Sequence, residues 1–382
     1  MKIVIAPDAF KESLDARRVA QALAAGLRKA LPQAELVLAP MADGGEGTLA
    51  ALCGDQNEVL VVHGPRGAMV AARLGVLADG CTAVIETAQA IGLDKLAPTE
   101  RNPLLASSFG VGELIRDGLD RGLRRFVVGL GGSATVDGGV GMLQALGARF
   151  FDKHAVPLPA RCGGGRLGDI AAVDFALFDR RLDAAHFVIA CDVVNLLCGE
   201  RGAAAVFGPQ KGATAADVVT LDRGLKHLYG LMESNLGRRV AERPGAGAAG
   251  GLGAAMLLCF NATMRPGIDV VIEATGLRDL LTGASFVVTG EGRVDLQTLS
   301  GKAPAGVARL ARACGVPVIA VAGSLESVES LWQSGLFDAV EAAVCRPCSV
   351  GDALLNASSN LADAGIRLGM WLNLFSQSHK SL

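Results

Sequence analysis

Apolar bursts of four to six residues, each closed by Gly, Asp or Pro, recur at 3–6, 126–130, 187–190, 286–289, 318–322 and 339–344. Their length and Val/Ile content predict buried strands. Between several of them lie Ala/Leu-rich stretches with helical spacing, at 16–31, 111–121, 140–146, 303–314 and 351–368. Strand and helix in alternation predict a mostly parallel sheet. The stretch 59–88 reads instead as three strands with little helix between them, the pattern of an antiparallel ribbon. The expected fold is α/β with two domains. A Rossmann-like or flavodoxin-like parallel-sheet domain, residues 1–62 and 284–382, is interrupted by a mixed α/β domain, residues 63–283.

Length supports the division, because 382 residues exceed what one core usually serves. Hydrophobic residues make up 51% of the chain but aromatics only 4%, so the cores must close with Ala, Val, Leu and Ile. Positive and negative side chains nearly balance, 36 against 38, which leaves no field to draw nucleic acid or an anionic membrane. A small-molecule partner is expected. The apolar start breaks at Pro7 and Asp8 without the basic flank of a signal peptide, and the apolar stretch 245–260 is too glycine-rich to span a bilayer. Nine scattered cysteines fit reduced thiols, and a cytoplasmic location is expected.

The 50 glycines gather in clusters after strands, at 43–47, 129–139, 245–253 and 290–292. Backbone that must approach phosphate oxygens closely needs residues without Cβ. In the strongest cluster Gly131, Gly132, Ser133, Ala134 and Thr135 follow a strand, and Asp137 and Gly138 lead into a helix beginning near Val140. Strand, glycine turn and helix N-terminus form an anion site; the plainer reading makes Asp137 a helix cap. Gly245, Gly247 and Gly250 match G-x-G-x-x-G, but Arg243 and Pro244 stand where a strand should precede, so the dinucleotide reading fails its context. No Walker A string occurs, nor a protein-kinase H-R-D with D-F-G.

Acidic residues stand at strand ends: Asp8, Asp43, Asp192 and Glu291. Ligands of open α/β sheets bind there, and carboxylates at that edge can hold Mg²⁺ or accept a proton from an attacking hydroxyl. Each by itself also suits a turn. Lys11, Lys211 and Lys302 could neutralise phosphate, and Arg66 and Arg101 could grip a carboxylate bidentately, although each equally suits a solvated surface. Cys345 and Cys348 form a lone C-x-x-C, and the five histidines are dispersed, which argues against zinc.

With these residues in place the chain resembles the bacterial glycerate kinase family (type 1) nearly end to end. The matching stretches are 6–14 (APDAFKESL), 42–48 (ADGGEGT), 82–87 (TAVIET), 101–103 (RNP), 131–135 (GGSAT) with 137–139 (DGG), and 190–193 (ACDV). They continue with 206–214 (VFGPQKGAT), 244–253 (PGAGAAGGLG), 289–293 (TGEGR) and 301–302 (GK). The pattern departs at Ala9, Val136, Leu196 and Leu296, where Ser, Asn, Pro and Gly are usual. The resemblance implies two domains with the active site in a cleft between them, and an ATP- and Mg²⁺-dependent kinase of D-glycerate. Its product is generally 2-phosphoglycerate, with 3-phosphoglycerate also assigned.

The roles then expected are catalysis by Asp192, Lys11 and Asp43, with Asp192 as the base. Nucleotide contacts are expected from Gly131, Gly132, Ser133, Ala134, Thr135, Asp137, Gly138, Gly290 and Lys302. Substrate contacts would come from Asp8, Arg66 and Arg101, and Mg²⁺ contacts from Asp192 and Glu291. The expected assembly is a monomer or homodimer. A kinase of another small hydroxy acid, such as tartronate or hydroxypyruvate, stays open. A non-catalytic binding protein is disfavoured by the acidic and lysine positions still present.

Overall fold

The computed structural model describes residues 1–54 and 56–378. The strands are β1 (Lys2–Ile5), β2 (Glu35–Leu38), β3 (Asn57–His63), β4 (Met69–Val76), β5 (Thr82–Glu86), β6 (Arg125–Gly129) and β7 (Arg149–Phe151). They continue with β8 (Ala172–Asp174), β9 (His186–Ala190), β10 (Ala262–Arg265), β11 (Phe286–Val294), β12 (Val318–Leu325) and β13 (Ala339–Ala342). The chain divides into two compact units. The first holds Met1–Asp43, Ala50–Leu52 and Ile268–Leu382; the second holds Gly44–Leu49 and Cys53–Gly267.

In the first unit one sheet runs β13-β12-β11-β1-β2, with every neighbouring pair parallel. Alternate residues of the apolar strands serve opposite faces, so the sheet has two cores. Val4, Val287 and Val318 pack with Val307 and Ala311 of the helix Ala303–Ala313 on one side. Ile3, Ile5, Val288 and Ile319 pack on the other with Leu23 and Leu27 of the helix Ala16–Ala30, and with Leu361 and Leu368 of the helix Ala357–Ser378. Asp15 starts the first of these helices by accepting the Arg18 N–H at 2.8 Å.

The sheet of the second unit runs β10-β9-β6-β5-β4-β3. Its first four strands are parallel, and β4 and β3 continue it as an antiparallel ribbon, the arrangement that stretch 59–88 predicts. Its core includes Phe126 stacked on Phe187 at 4.7 Å, with Phe260 beside Phe187.

The expected domain borders near 62 and 284 differ from this division. Asn57–His63 pairs with β4 along its whole length and so belongs to the second unit. At the other border Ile268, Val271, Leu277 and Leu281 are core residues of the first unit. The helix expected over 351–368 is two, Val350–Leu355 and Ala357–Ser378, separated at Asn356. A helix the pattern did not single out, Ala215–Leu236, opens with a capping box of Thr214 and Asp217 and ends at Gly237 in the left-handed region. Among the described residues no helix is long and apolar enough to cross a membrane. All nine cysteines are free thiols.

Candidate functional site

In the first unit the backbone carries sheet pairing past the formal end of β1. The Ala6 N–H donates to Val288 O at 2.7 Å and the Asp8 N–H to Gly290 O at 2.8 Å, while the Met41 N–H donates to Pro7 O at 2.8 Å. Three neighbouring strand ends therefore set Asp43, Asp8 and Glu291 side by side. Asp8 is 6% exposed. Burial, reinforced by the charges of Asp43 and Glu291, pushes its carboxyl up to about 7 against the pull of the Ala9 amide and Lys11. Glu291 is held from two sides, accepting the Thr298 hydroxyl at 2.7 Å and the Lys302 ammonium at 3.3 Å. Gly290 between them has no room for a side chain, since a Cβ would stand 1.9 Å from Val321 O. Lys11 is exposed beside this group.

These oxygens fit Mg²⁺ held in its usual manner, by one or two carboxylates with phosphate and water completing the shell. Repulsion among the three carboxyl groups is what a divalent cation would relieve. Among the described residues no cluster of three His, Cys, Asp or Glu side chains forms an all-protein cage. Of the two expected metal residues, Glu291 belongs to this group. Asp192 lies in the second unit, exposed just beyond β9, with Oδ1 accepting the Gly267 N–H at 2.8 Å.

The glycine loop after β6 is stitched to its surroundings by backbone bonds. Leu93 N–H donates to Gly132 O at 2.9 Å and Ala134 N–H to Ile91 O at 2.8 Å. Gly132 has φ +67°, and a Cβ on Gly131 would come within 2.8 Å of Gly45 Cα, so the two glycine clusters touch backbone to backbone. Ser133 and Thr135 face inward to Lys211, whose ammonium donates to Ser133 Oγ at 3.0 Å and Thr135 O at 2.8 Å. Burial pulls that lysine down to about 7, with the Asp137 charge pushing back. The Thr135 hydroxyl is buried without a partner.

Asp137 and Gly138, expected to contact the nucleotide, are instead consumed by the fold. Fully buried Asp137 accepts Ser108 N–H at 2.7 Å, Ser108 Oγ–H at 2.8 Å, and the amides of Gly139 and Gly141 at 3.2 and 3.1 Å. It caps the short helix Val140–Ala145 and ties it to the start of the helix Phe109–Asp120. Burial holds its carboxyl above the usual range. Gly138 donates to Gly250 O at 3.0 Å and accepts Tyr229 Oη–H at 2.9 Å. Its helix N-terminus therefore has no amides to spare, and of the loop before it only Gly131 and Gly132 reach solvent. Gly250 abuts the same loop, where a Cβ would lie 2.0 Å from Thr135 O, so the G-x-G-x-x-G match reflects close packing. Val136 is fully buried in the core.

Arg66 sits on the β3–β4 turn, and its Nη1 donates to Glu100 O at 3.0 Å, next to Arg101. The Arg101 Nε is buried without a hydrogen-bond partner. The two arginines expected to grip one carboxylate are thus held on adjoining segments.

The sequence profile described as the glycerate kinase family matches residues 3–373. The chain belongs to that family. As a family member it is a kinase, with close relatives across its length. It is 46% identical over 366 residues to a glycerate kinase of Halalkalibacterium halodurans, covering 95% of this chain and 96% of that one. It is 43% identical over 369 residues to the glycerate 2-kinase of Escherichia coli K12, covering 95% and 96%. A crystal structure from Salmonella typhimurium LT2 that bears the name glycerate kinase 2 superposes with a TM-score of 0.89 at 43% identity, over 99% of both chains.

One residue of this kinase, Glu86, escaped the sequence-based site. Lys211, a candidate for neutralising phosphate, is instead buried against Ser133 and Thr135, which only the three-dimensional structure shows. Glu86 ends β5, much as Asp192 follows β9, so strand-end position was a signal for it. Its carboxylate accepts the Leu49 N–H at 2.7 Å and the Gln89 amide at 3.3 Å, anchoring the 44–49 segment that follows Asp43. Burial holds it above the usual carboxylate range, with the Glu46 charge adding to the effect.

Proposed function

We propose that this chain moves the γ-phosphoryl group of ATP to the 2-hydroxyl of D-glycerate, giving 2-phosphoglycerate and ADP. The observation that carries the proposal is the convergence of Asp8, Asp43 and Glu291 with Lys302 at the sheet edge of the first unit. Carboxylates for Mg²⁺ beside a lysine for phosphate are what phosphoryl transfer requires, because positioning and charge stabilisation supply most of its catalysis. The names of the relatives, among them a glycerate 2-kinase, support the acceptor and the hydroxyl.

In the first unit one or two of Asp8, Asp43 and Glu291 would hold Mg²⁺, which when bound would spread the charge of the phosphates. Lys11 and Lys302 neutralise phosphate oxygens, and Gly290, without a side chain, lets the backbone of β12 lie against the strand that carries Glu291. In the second unit Gly131 and Gly132, the loop residues that reach solvent, hold the transferring phosphoryl group, with buried Ser133, Ala134, Thr135 and Lys211 stiffening the loop from behind. Arg66 and Arg101 grip the glycerate carboxylate. Asp192, fixed through one oxygen by the Gly267 amide, takes the proton of the attacking hydroxyl.

The direct test is the ³¹P NMR spectrum of purified protein with D-glycerate and Mg·ATP and no coupling enzymes. A 2-phosphoglycerate resonance is expected. A 3-phosphoglycerate resonance would overturn the assigned hydroxyl, and intact ATP would overturn the donor or acceptor. Asp192→Asn is expected to lower kcat by about 100-fold or more while leaving the KM for ATP within about twofold. Near-normal turnover in that variant would remove Asp192 from the role.

A further inference from the structure

Next to the carboxylate edge, the first unit contains a cavity of about 490 Å³ whose rim includes Lys11, Glu291 and Lys302 and whose remaining lining has no role assigned above. We infer that it takes the adenosine of the nucleotide, with the phosphates leaving past Lys11 and Lys302 toward Glu291. The inference rests on ATP being the donor, and adds where the base and ribose sit.

Four observations carry it. The cavity lies over the carboxyl ends of β1, β11, β12 and β13, lined there by Phe10, Gly292, Ser324 and Val344, the place where open parallel sheets receive ligands. Its volume falls within the roughly 300–1,000 Å³ of small-molecule sites. Chemistry divides across it. Lys11, Lys302 and Arg293, with Glu12 and Glu291, supply its charged lining, while Phe10, Val344 and Leu354 offer apolar surface to a flat ring. Within that apolar wall Asn360 supplies an amide, a paired donor and acceptor that matches the edge of a purine.

The far wall is built by the two C-terminal helices, and it is pinned to the loop after β1 by the Ser13 hydroxyl, which donates to Leu354 O at 3.0 Å. Opposite, Gly323 and Gly292 let strand backbones lie against Phe10. A Cβ on Gly323 would stand 2.6 Å from Gly292 O, and one on Gly292 would stand 3.4 Å from Phe10 Cα.

Photolabelling with 8-azido-ATP, followed by peptide mapping, tests the placement on the full chain. Label in peptides spanning 9–13 or 343–361, removed by excess ATP, is the expected result. ATP-protected label confined to 129–139 or elsewhere in the second unit would overturn the placement while leaving ATP as the donor. Absence of any ATP-protected label, together with absence of phosphoglycerate in the ³¹P spectrum, would overturn both. As a second readout, Ala353→Trp narrows the cavity from a half-buried position. It is expected to raise the KM for ATP at least tenfold, with the KM for glycerate within twofold. Leu355→Trp, at a position 86% exposed and outside the lining, is expected to change neither. An unchanged KM for ATP in Ala353→Trp would count against the site.

Discussion

Asp8 shows how a residue's neighbours decide its chemistry. Its place after a strand was legible in the sequence, but its proton affinity depends on Asp43 and Glu291, which are distant along the chain. The native state holds the Asp8 proton up to about pH 7, well above the ordinary carboxylate range. At pH 4 most of the Asp8 cost is therefore absent, because the native carboxyl is neutral. As pH rises from about 4 to 7 the unfolded chain releases this proton while the native carboxyl keeps it, so stability falls, and it levels off once the native carboxyl also ionises among its neighbours. Asp8→Asn removes that ionisation. In EDTA its stability relative to the parent is expected to increase by roughly 2–4 kcal/mol between pH 4 and pH 8. Urea unfolding at the two pH values measures the gap, and a gap that does not widen with pH would show that Asp8 ionises without cost. Asp137 makes the opposite case. Its role as a cap was one of two readings open to the sequence, and only the bonds to Ser108, Gly139 and Gly141 decide between them.

At the level of elements, alternation of apolar and polar positions located most central strands, because a strand buried on both faces reads as a short apolar run wherever it occurs. Strand β10, Ala262–Arg265 at the edge of its sheet, lacks such a run, and only the structure reveals it. The helix Ala215–Leu236 carries one buried stripe, Leu221, Leu225, Leu228 and Met232, at the spacing of an amphipathic helix, so its signal was present in the sequence. Helix packing reveals a further use of glycine. Helices Ala16–Ala30 and Ala357–Ser378 touch at Gly26, Gly365 and Gly369, and a Cβ on Gly365 would lie 2.4 Å from Leu23 O. Backbone cannot yield as a side-chain tip can. Gly365→Ala is therefore expected to cost about 1–3 kcal/mol in chemical denaturation, despite the higher helix propensity of alanine. A stabilised variant would mean that the helices separate more easily than their packing indicates.

On the scale of the whole molecule, each unit has its own sheet and its own apolar core. Separate cores permit separate opening reactions. Hydrogen exchange in rising urea is expected to sort the protected amides into two groups, those of β1, β11 and β12 and those of β5, β6 and β9. A single merged isotherm would instead show one cooperative unit. By itself the sequence determined the alternation of strands and helices, the antiparallel ribbon, the strand-end carboxylates and the glycine clusters, because each follows from local spacing and residue type. Tertiary structure alone decided that 57–63 joins the second unit and 268–281 the first, that Asp8 sits between Asp43 and Glu291, that Lys211 is buried behind the glycine loop, and that the C-terminal helices wall a cavity. Those facts depend on which distant segments become neighbours, and neighbours set burial, charge and available space, none of which is carried by any one stretch of chain.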